Sequence, residues 1–252
     1  MNIKPPQITD IPKLRTLWHE VFGDSDAFLD AFFETAFSPD RAMAVYVNDK
    51  IVSMLYWFSC ECWGKPMAYI YAVATDATYR GRGICRRLME CTHQKLSRDG
   101  YVGAILVPSE KSLFDFYGKM GYKTATYINK FTCKPSDVAL ELTPIKTDEY
   151  EMLRKAYLPY GGVVQERENT QFLASEMHLY KGDDFIVTAS ADGDKLYCGE
   201  LLGDMERASG IVKALGADEG YFRTPGGNTP FAMYLSLDHK TKPPTYFGLA
   251  FD

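Results

Sequence analysis

Apolar residues recur at helical spacing in two stretches near the start of the chain. Leu14, Leu17, Trp18 and Val21 form one stripe, closed by Phe22-Gly23-Asp24. Phe28, Leu29, Phe32 and Phe33 form a second, ended by Ser38-Pro39. The period then changes. Residues 42–47 and 51–62 are strand-like runs joined by the short polar turn Asn48-Asp49, a hairpin pattern, and the second run carries Tyr56-Trp57-Phe58. Gly64-Lys65-Pro66 breaks the run before a third strand over 67–75. Residues 84–97 give the clearest helix, with Ile84, Leu88, Cys91 and Leu96 on its apolar face. A buried strand over 101–107, a short helix over 112–119 and a strand over 122–131 follow. This order predicts an α/β (α+β) layered domain, its mixed, mostly antiparallel sheet flanked by helices.

A second unit begins after Lys134-Pro135-Ser136, which divides the chain into domains 1–135 and 136–252. Thr147-Asp148 followed by Leu153, Arg154 and Tyr157 echoes Thr9-Asp10 followed by Leu14, Arg15 and Trp18. Element order supports the echo. Helices are expected over 149–158 and 170–180, strands over 184–189 and 195–202, and a helix over 206–215. Strands over 220–224, 231–237 and 246–251 complete a second copy of one architecture.

Composition narrows the function classes. The 252 residues carry 28 Lys+Arg against 33 Asp+Glu, a formal charge of −5, which argues against coating nucleic acid. Hydrophobic residues at 46% supply a sizeable core, yet no stretch approaches the ~20 apolar residues of a membrane span. The opening MNIKPPQITD lacks the basic start and apolar run of a signal peptide, so a cytoplasmic protein is expected. The six cysteines make no CxxC pair and the four histidines lack ligand spacing, so no metal is expected. Free thiols suit a reducing compartment.

One stretch carries chemistry: Tyr69-Ile-Tyr-Ala-Val-Ala-Thr-Asp-Ala-Thr-Tyr-Arg-Gly-Arg-Gly-Ile-Cys85. A strand enters a turn containing Gly81 and Gly83, and the turn opens onto the helix at Ile84. Glycine lets backbone approach a ligand closely, and a helix start presents unpaired N–H groups and the positive end of the dipole. Arg80, Arg82, Arg86 and Arg87 add cations in an otherwise acidic chain, which suits a phosphate. A Walker A loop would need Gly-Lys-Ser/Thr, and a dinucleotide fingerprint would need glycine where Arg86 stands.

Here the chain resembles the GCN5-related N-acetyltransferases, whose signature Gln/Arg-x-x-Gly-x-Gly/Ala is matched by Arg80-Gly81-Arg82-Gly83-Ile84-Cys85, with Cys85 a small departure at the last position. The resemblance implies that the strand backbone at Val73 and Thr75 pairs with the pantetheine arm of acetyl-CoA. It also implies that the amides of Arg80 through Cys85 hold the pyrophosphate. The segment from Val107 to Tyr122, with Ser109-Glu110 and Phe116-Tyr117-Gly118, is similar to the family's closing segment. On that likeness Tyr117 is the general acid for the leaving thiolate, and Ser109 joins the cofactor contacts. More narrowly the pattern resembles enhanced-intracellular-survival-type acetyltransferases. Those carry a second acetyltransferase-like domain without the motif, in keeping with Leu201-Leu202-Gly203-Asp204-Met205 where a phosphate loop would stand. A third, sterol-carrier-like domain of those proteins sends its terminal carboxylate into the active site. This chain is read as too short for it, and whether Asp252 takes that place stays open.

The resemblance implies N-acetyl transfer from acetyl-CoA to a primary amine. Some members place a glutamate base four residues before the Val73 position, where this chain has Tyr69, so the base is unassigned; Glu61 and Asp26 are candidates. Polyamines, peptide amino groups and small metabolites all fit as acceptors. Tyr56-Trp57-Phe58 and Trp63 either wall an acceptor pocket or fill the core. The rival readings are a non-catalytic acyl-CoA-binding module and a scaffold that forms oligomers through its second domain.

Overall fold

The computed structural model describes residues 1–137 and 140–251, so Asp252 lies outside the described residues. The first half runs β1 (Asn2–Lys4), α1 (Ile11–Phe22), α2 (Asp26–Thr35), β2 (Ala42–Val47), β3 (Lys50–Cys62), β4 (Lys65–Thr75), α3 (Ile84–Arg98), β5 (Gly103–Leu106), α4 (Lys111–Gly118) and β6 (Lys123–Thr124). The second runs β7 (Tyr127–Cys133), β8 (Thr143–Pro144), α5 (Thr147–Tyr157), β9 (Val164–Gln165), α6 (Glu168–Glu176), β10 (His178–Lys181), β11 (Phe185–Asp192), β12 (Lys195–Gly203), α7 (Ala208–Ala214), β13 (Glu219–Pro225), β14 (Thr229–Pro230) and β15 (Met233–Ser236). The architecture is mixed α/β: two mostly antiparallel sheets flanked by helices.

Two compact units divide the chain, and neither is continuous. One comprises Met1–Leu106, Ser112–Lys123 and Tyr234–Lys242; the other Val107–Lys111, Thr124–Met233 and Pro243–Asp252. The reason for this discontinuity lies in β15, which enters the first sheet between β5 and β6. The Leu237 amide donates to the Val102 carbonyl at 2.9 Å, and a Cβ on Gly103 would collide with the Tyr234 ring. Only glycine lets that ring lie flat on β5.

In the first unit the sheet runs β1-β2-β3-β4-β5-β15-β6. Asn48 (φ 48°) and Asp49 (φ 62°) both sit in the left-handed region, the two-residue hairpin turn that suits twisted strands. Gly23 (φ 76°) ends α1 by donating to the His19 carbonyl, and the Ser25 hydroxyl caps α2 by accepting the Phe28 amide. Successive residues of β3 point to opposite faces. Tyr56 and Phe58 meet Phe32 of α2, with Trp18 of α1 also on Tyr56, whereas Trp57 lies under Lys95 of α3. All three aromatics are at most 2% exposed, so they are core rather than pocket wall.

In the second unit the sheet runs β14-β7-β13-β12-β11-β10-β8. Its chain order repeats that of the first: an antiparallel hairpin (β11–β12), a 3₁₀ turn capped by an aspartate (Asp204), a helix (α7), then a strand (β13) parallel to β12. The stretch 170–180, expected as one helix, breaks at Glu176, and its end becomes β10. Residues 246–251, expected as a strand, form none; Gln165 holds this segment by donating to the Leu249 carbonyl at 2.8 Å and accepting its amide at 3.3 Å.

A buried ionic cluster anchors that segment. Arg154 Nε and Nη2 donate to the two Glu200 oxygens at 2.7 and 3.0 Å, and its Nη1 reaches the Val163 carbonyl at 3.0 Å. The hydroxyls of Tyr150 and Tyr246 donate to the same carboxylate at 3.1 and 2.9 Å. Removing one partner strands a desolvated charge, so Arg154→Met should lower unfolding stability by about 3–5 kcal/mol. Urea melts check this; a loss under about 1 kcal/mol would show that water reaches the carboxylate.

Candidate active site

The site is built on an irregularity of β4. Met54 pairs with Ala74 and Tyr56 with Tyr71, so Leu55 faces two residues, Ala72 and Val73. This is a β-bulge, and Ala72 takes φ 47° to make it. Beyond the bulge the Asp76 amide donates to the Val52 carbonyl at 2.9 Å. Antiparallel alternation then turns the backbone groups of Ala74 toward β3 and those of Val73 and Thr75 away from it. On that other side β4 pairs with β5 only from Met67↔Gly103 to Tyr69↔Ile105, while β4 continues to Thr75. The end of β4 therefore presents an open edge at Val73 and Thr75. Such an edge is a template for an extended chain of amides. The Thr75 carbonyl accepts from Arg80 Nε at 3.0 Å, so Thr75 offers its N–H. Fully buried Ser53 braces the edge from behind, its hydroxyl donating to the Ala74 carbonyl at 2.7 Å and lying 2.8 Å from Thr75 Oγ1.

The strand leads into a clamped turn. Asp76, 5% exposed, accepts from Lys50 Nζ at 2.6 Å and from the amide and hydroxyl of Thr78 at 2.8 and 2.7 Å. These donors, Lys50 first, hold its carboxyl down at about 2. A 3₁₀ turn over Ala77–Tyr79 follows, then Arg80, Gly81 (φ 73°), Arg82 and Gly83 (φ 72°), the residue before α3. Both glycines take a conformation that side chains resist, and a Cβ on either would meet nothing within 4 Å. The space in front of the helix is open. Helices favour acids in their first turn, but α3 has none and carries exposed Arg86 and Arg87 instead. Arg82 lies over the Tyr79 ring at 5.2 Å, and none of these four arginines has a carboxylate partner among the described residues. Cations at a positive helix end repel one another, a repulsion that a bound anion would relieve.

Tyr117, at the end of α4, is 7% exposed and near enough to Cys85, in the first turn of α3, for the two to interact electrostatically. Burial, with a smaller contribution from Cys85, raises its phenol above the ordinary tyrosine value. Its ring meets Tyr122 edge-on at 6.0 Å, and the Tyr122 hydroxyl is 2.8 Å from His93 Nε2 on α3. Burial pushes the Cys85 thiol up to about 11 and His93 down to about 4, so both are neutral near pH 7. Val73, Thr75, Arg80 through Cys85 and Tyr117 thus all belong to the first unit. Ser109 is exposed and lies in the short stretch Val107–Lys111 that packs with the second.

The candidate bases fare differently. Glu61 pairs with Pro66, seven residues along β4 from Val73, which at ~3.3 Å per residue is about 23 Å away. Asp26 is engaged by His19 and Arg15, which lower its carboxyl. Glu61 is thus too far along the strand to take a proton at Val73, and Asp26 is already engaged in ion pairs. The sequence did not reveal Lys50, Ser53 or the bulge. The Asp76-x-Thr78 spacing of a side-chain-capped turn was the one available signal. Among the described residues no group of three or more His, Cys, Asp or Glu side chains stands together as a metal site, and no helix is long and apolar enough to cross a membrane.

The second unit has the corresponding strand and turn without the cradle. Its 3₁₀ turn Met205–Arg207 passes directly into α7 with no glycine between them.

An open bulged strand end, a glycine–arginine turn and buried Tyr117 thus stand in one unit of the chain. Residues 2–125 match the acetyltransferase (GNAT) domain model, so this part of the chain is a GNAT acetyltransferase domain and the protein an N-acyltransferase. Solved structures of similar fold include a GCN5-related N-acetyltransferase from Anabaena variabilis ATCC 29413 (TM-score 0.74, 16% identity, 94% of this chain and 72% of that one). Eis1 from Mycobacterium abscessus aligns at TM-score 0.69 and 14% identity over 95% of this chain and 75% of that one. A tandem GNAT protein from the clavulanic acid biosynthesis pathway aligns at 0.60 and 11% over 94% and 98%. At such identities the likeness is one of fold, and it spans both halves of the chain. No curated protein matches the sequence significantly.

Proposed function

We propose that the protein transfers the acetyl group of acetyl-CoA to a primary amine of a small molecule or peptide. One observation carries this reading: the open edge at Val73 and Thr75 leads, within one turn, to the glycines and unpaired arginines at the start of α3. That order suits a ligand with an amide-bearing arm at one end and a pyrophosphate at the other. In this reading the N–H of Val73 polarises the thioester carbonyl, and the amides of Gly81 through Cys85 with Arg80 and Arg82 hold the pyrophosphate. Tyr117 protonates the departing thiolate. A carboxylate base is not part of the scheme; an amine that arrives neutral, or gives its proton to water, completes it. Ser109 keeps only its family-based assignment to the cofactor. The second unit is proposed to hold no acyl-CoA of its own and to serve as an interface in oligomers. Six cysteines outside any disulfide among the described residues suit a reducing cytoplasm, the location proposed for the protein.

Thiol release from acetyl-CoA, measured against a panel of mono-, di- and polyamines and peptides, tests the reading. Amine-dependent release is expected. Tight CoA binding without release under any amine would make the chain an acyl-CoA-binding module, and no binding at all would make it a scaffold.

A further inference from the structure

The two units solve one electrostatic problem in opposite ways. Each places an aspartate at the end of its long strand, where the backbone amide donates to the preceding strand: Asp76 to the Val52 carbonyl at 2.9 Å, Asp204 to the Asp184 carbonyl at 3.1 Å. Each aspartate side chain then caps a 3₁₀ turn, on the Thr78 amide at 2.8 Å and the Glu206 amide at 3.0 Å. Val52 and Asp184 are thus counterparts, and two residues earlier Lys50 is the counterpart of Gly182. The carboxylates meet different cations. Asp76 takes Lys50 at 2.6 Å. Asp204 has no lysine at that place and takes Arg207 of its own turn at 3.1 Å, which Asp184 also binds at 2.7 Å.

The consequence falls on the arginines. Arg80 Nε rests on the carbonyl of Thr75, next to Asp76. An uncompensated carboxylate there would draw the Arg80 guanidinium, as the acids of the second unit have drawn Arg207, and would also oppose an incoming anion. We propose that Lys50 is a positioning residue for the anion site: by neutralising Asp76 it leaves the arginines of the Arg80–Cys85 turn free for the pyrophosphate of CoA. This inference rests on the reading of that turn as the CoA site. Lys50 acts through Asp76 and touches no substrate.

The test is a set of CoA titrations by calorimetry on the full chain at low and high salt. Lys50→Met keeps most of the stem and sits on a hairpin end with its side chain 53% exposed, so folding should survive, and a thermal melt checks that it does. Its dissociation constant for CoA should rise by about ten-fold at low ionic strength, and the gap should narrow in high salt. Asp76→Asn in the same chain removes the charge and keeps an oxygen for the Thr78 amide. The double variant should therefore return to within about three-fold of the unaltered protein, a coupling a merely structural lysine would not show. Equal affinity in Lys50→Met, or a loss that Asp76→Asn fails to restore, overturns the role of Lys50 while leaving the site standing. An unaltered chain that binds no CoA overturns the site, and this inference with it.

Discussion

Replacing Tyr117 by phenylalanine should lower kcat by roughly 10² or more and leave the KM for acetyl-CoA within a few-fold. The substitution removes one oxygen and keeps the ring that packs on Phe116 at 5.2 Å and Tyr122 at 6.0 Å, so fold and cofactor affinity have little reason to change. The chemistry does. A thiolate is a costly leaving group unless it is protonated as it leaves, and Tyr117 is the buried phenol proposed to protonate it. Burial raises the pKa of the phenol, and the same desolvation raises that of the thiolate, so the proton still has somewhere to go. The sign of the shift also fixes a pH result. A raised phenol stays protonated through neutral and moderately alkaline pH, so Tyr117 should contribute no alkaline fall in kcat below pH about 10. Steady-state kinetics of the phenylalanine variant across that range decides the matter. Unchanged turnover would remove Tyr117 from the mechanism.

Much of this site can be read from one sequence because its signals are local. Gly81 and Gly83 between a strand and a helix, with arginines around them, need only neighbours along the chain to be understood. The hairpin at Asn48-Asp49 and the stripe of Leu14, Leu17 and Trp18 are local in the same sense. What stayed hidden depends on pairing across distance. The bulge at Ala72 and Val73 exists only as a mismatch of register with β3, and Ser53 matters only because it lies behind that mismatch. Lys50 is 26 positions from Asp76 and reads as an ordinary hairpin lysine until the two are brought to 2.6 Å. The insertion of β15 beside β5 is likewise a long-range choice that no local pattern announces. Residues 246–251 read as a strand from their apolar run, but Tyr246 makes only an isolated bridge to Gly162, and Gln165 and the Glu200 cluster hold the segment instead.

Gly83→Glu should abolish CoA binding in a protein that remains folded. The position takes φ 72°, where a side chain costs about 1–2 kcal/mol, but nothing stands within 4 Å of the new Cβ, so no packing is disturbed. The substitution therefore acts on what occupies the open space rather than on the core. There it sets bulk and a negative charge among Arg80, Arg82, Arg86 and the first amides of α3, the groups that would otherwise meet the pyrophosphate. Gly83→Ala separates the two effects. It carries the same backbone strain without the charge, and it should weaken CoA by no more than about ten-fold, the equivalent of 1.4 kcal/mol. Titration of the unaltered chain should saturate at one CoA, because Arg207 is already held by Asp184 and Asp204 and no glycine precedes α7. Two CoA per unaltered chain, falling to one in Gly83→Glu, would show that the second unit binds cofactor after all. Full binding by Gly83→Glu would place the pyrophosphate somewhere other than the start of α3.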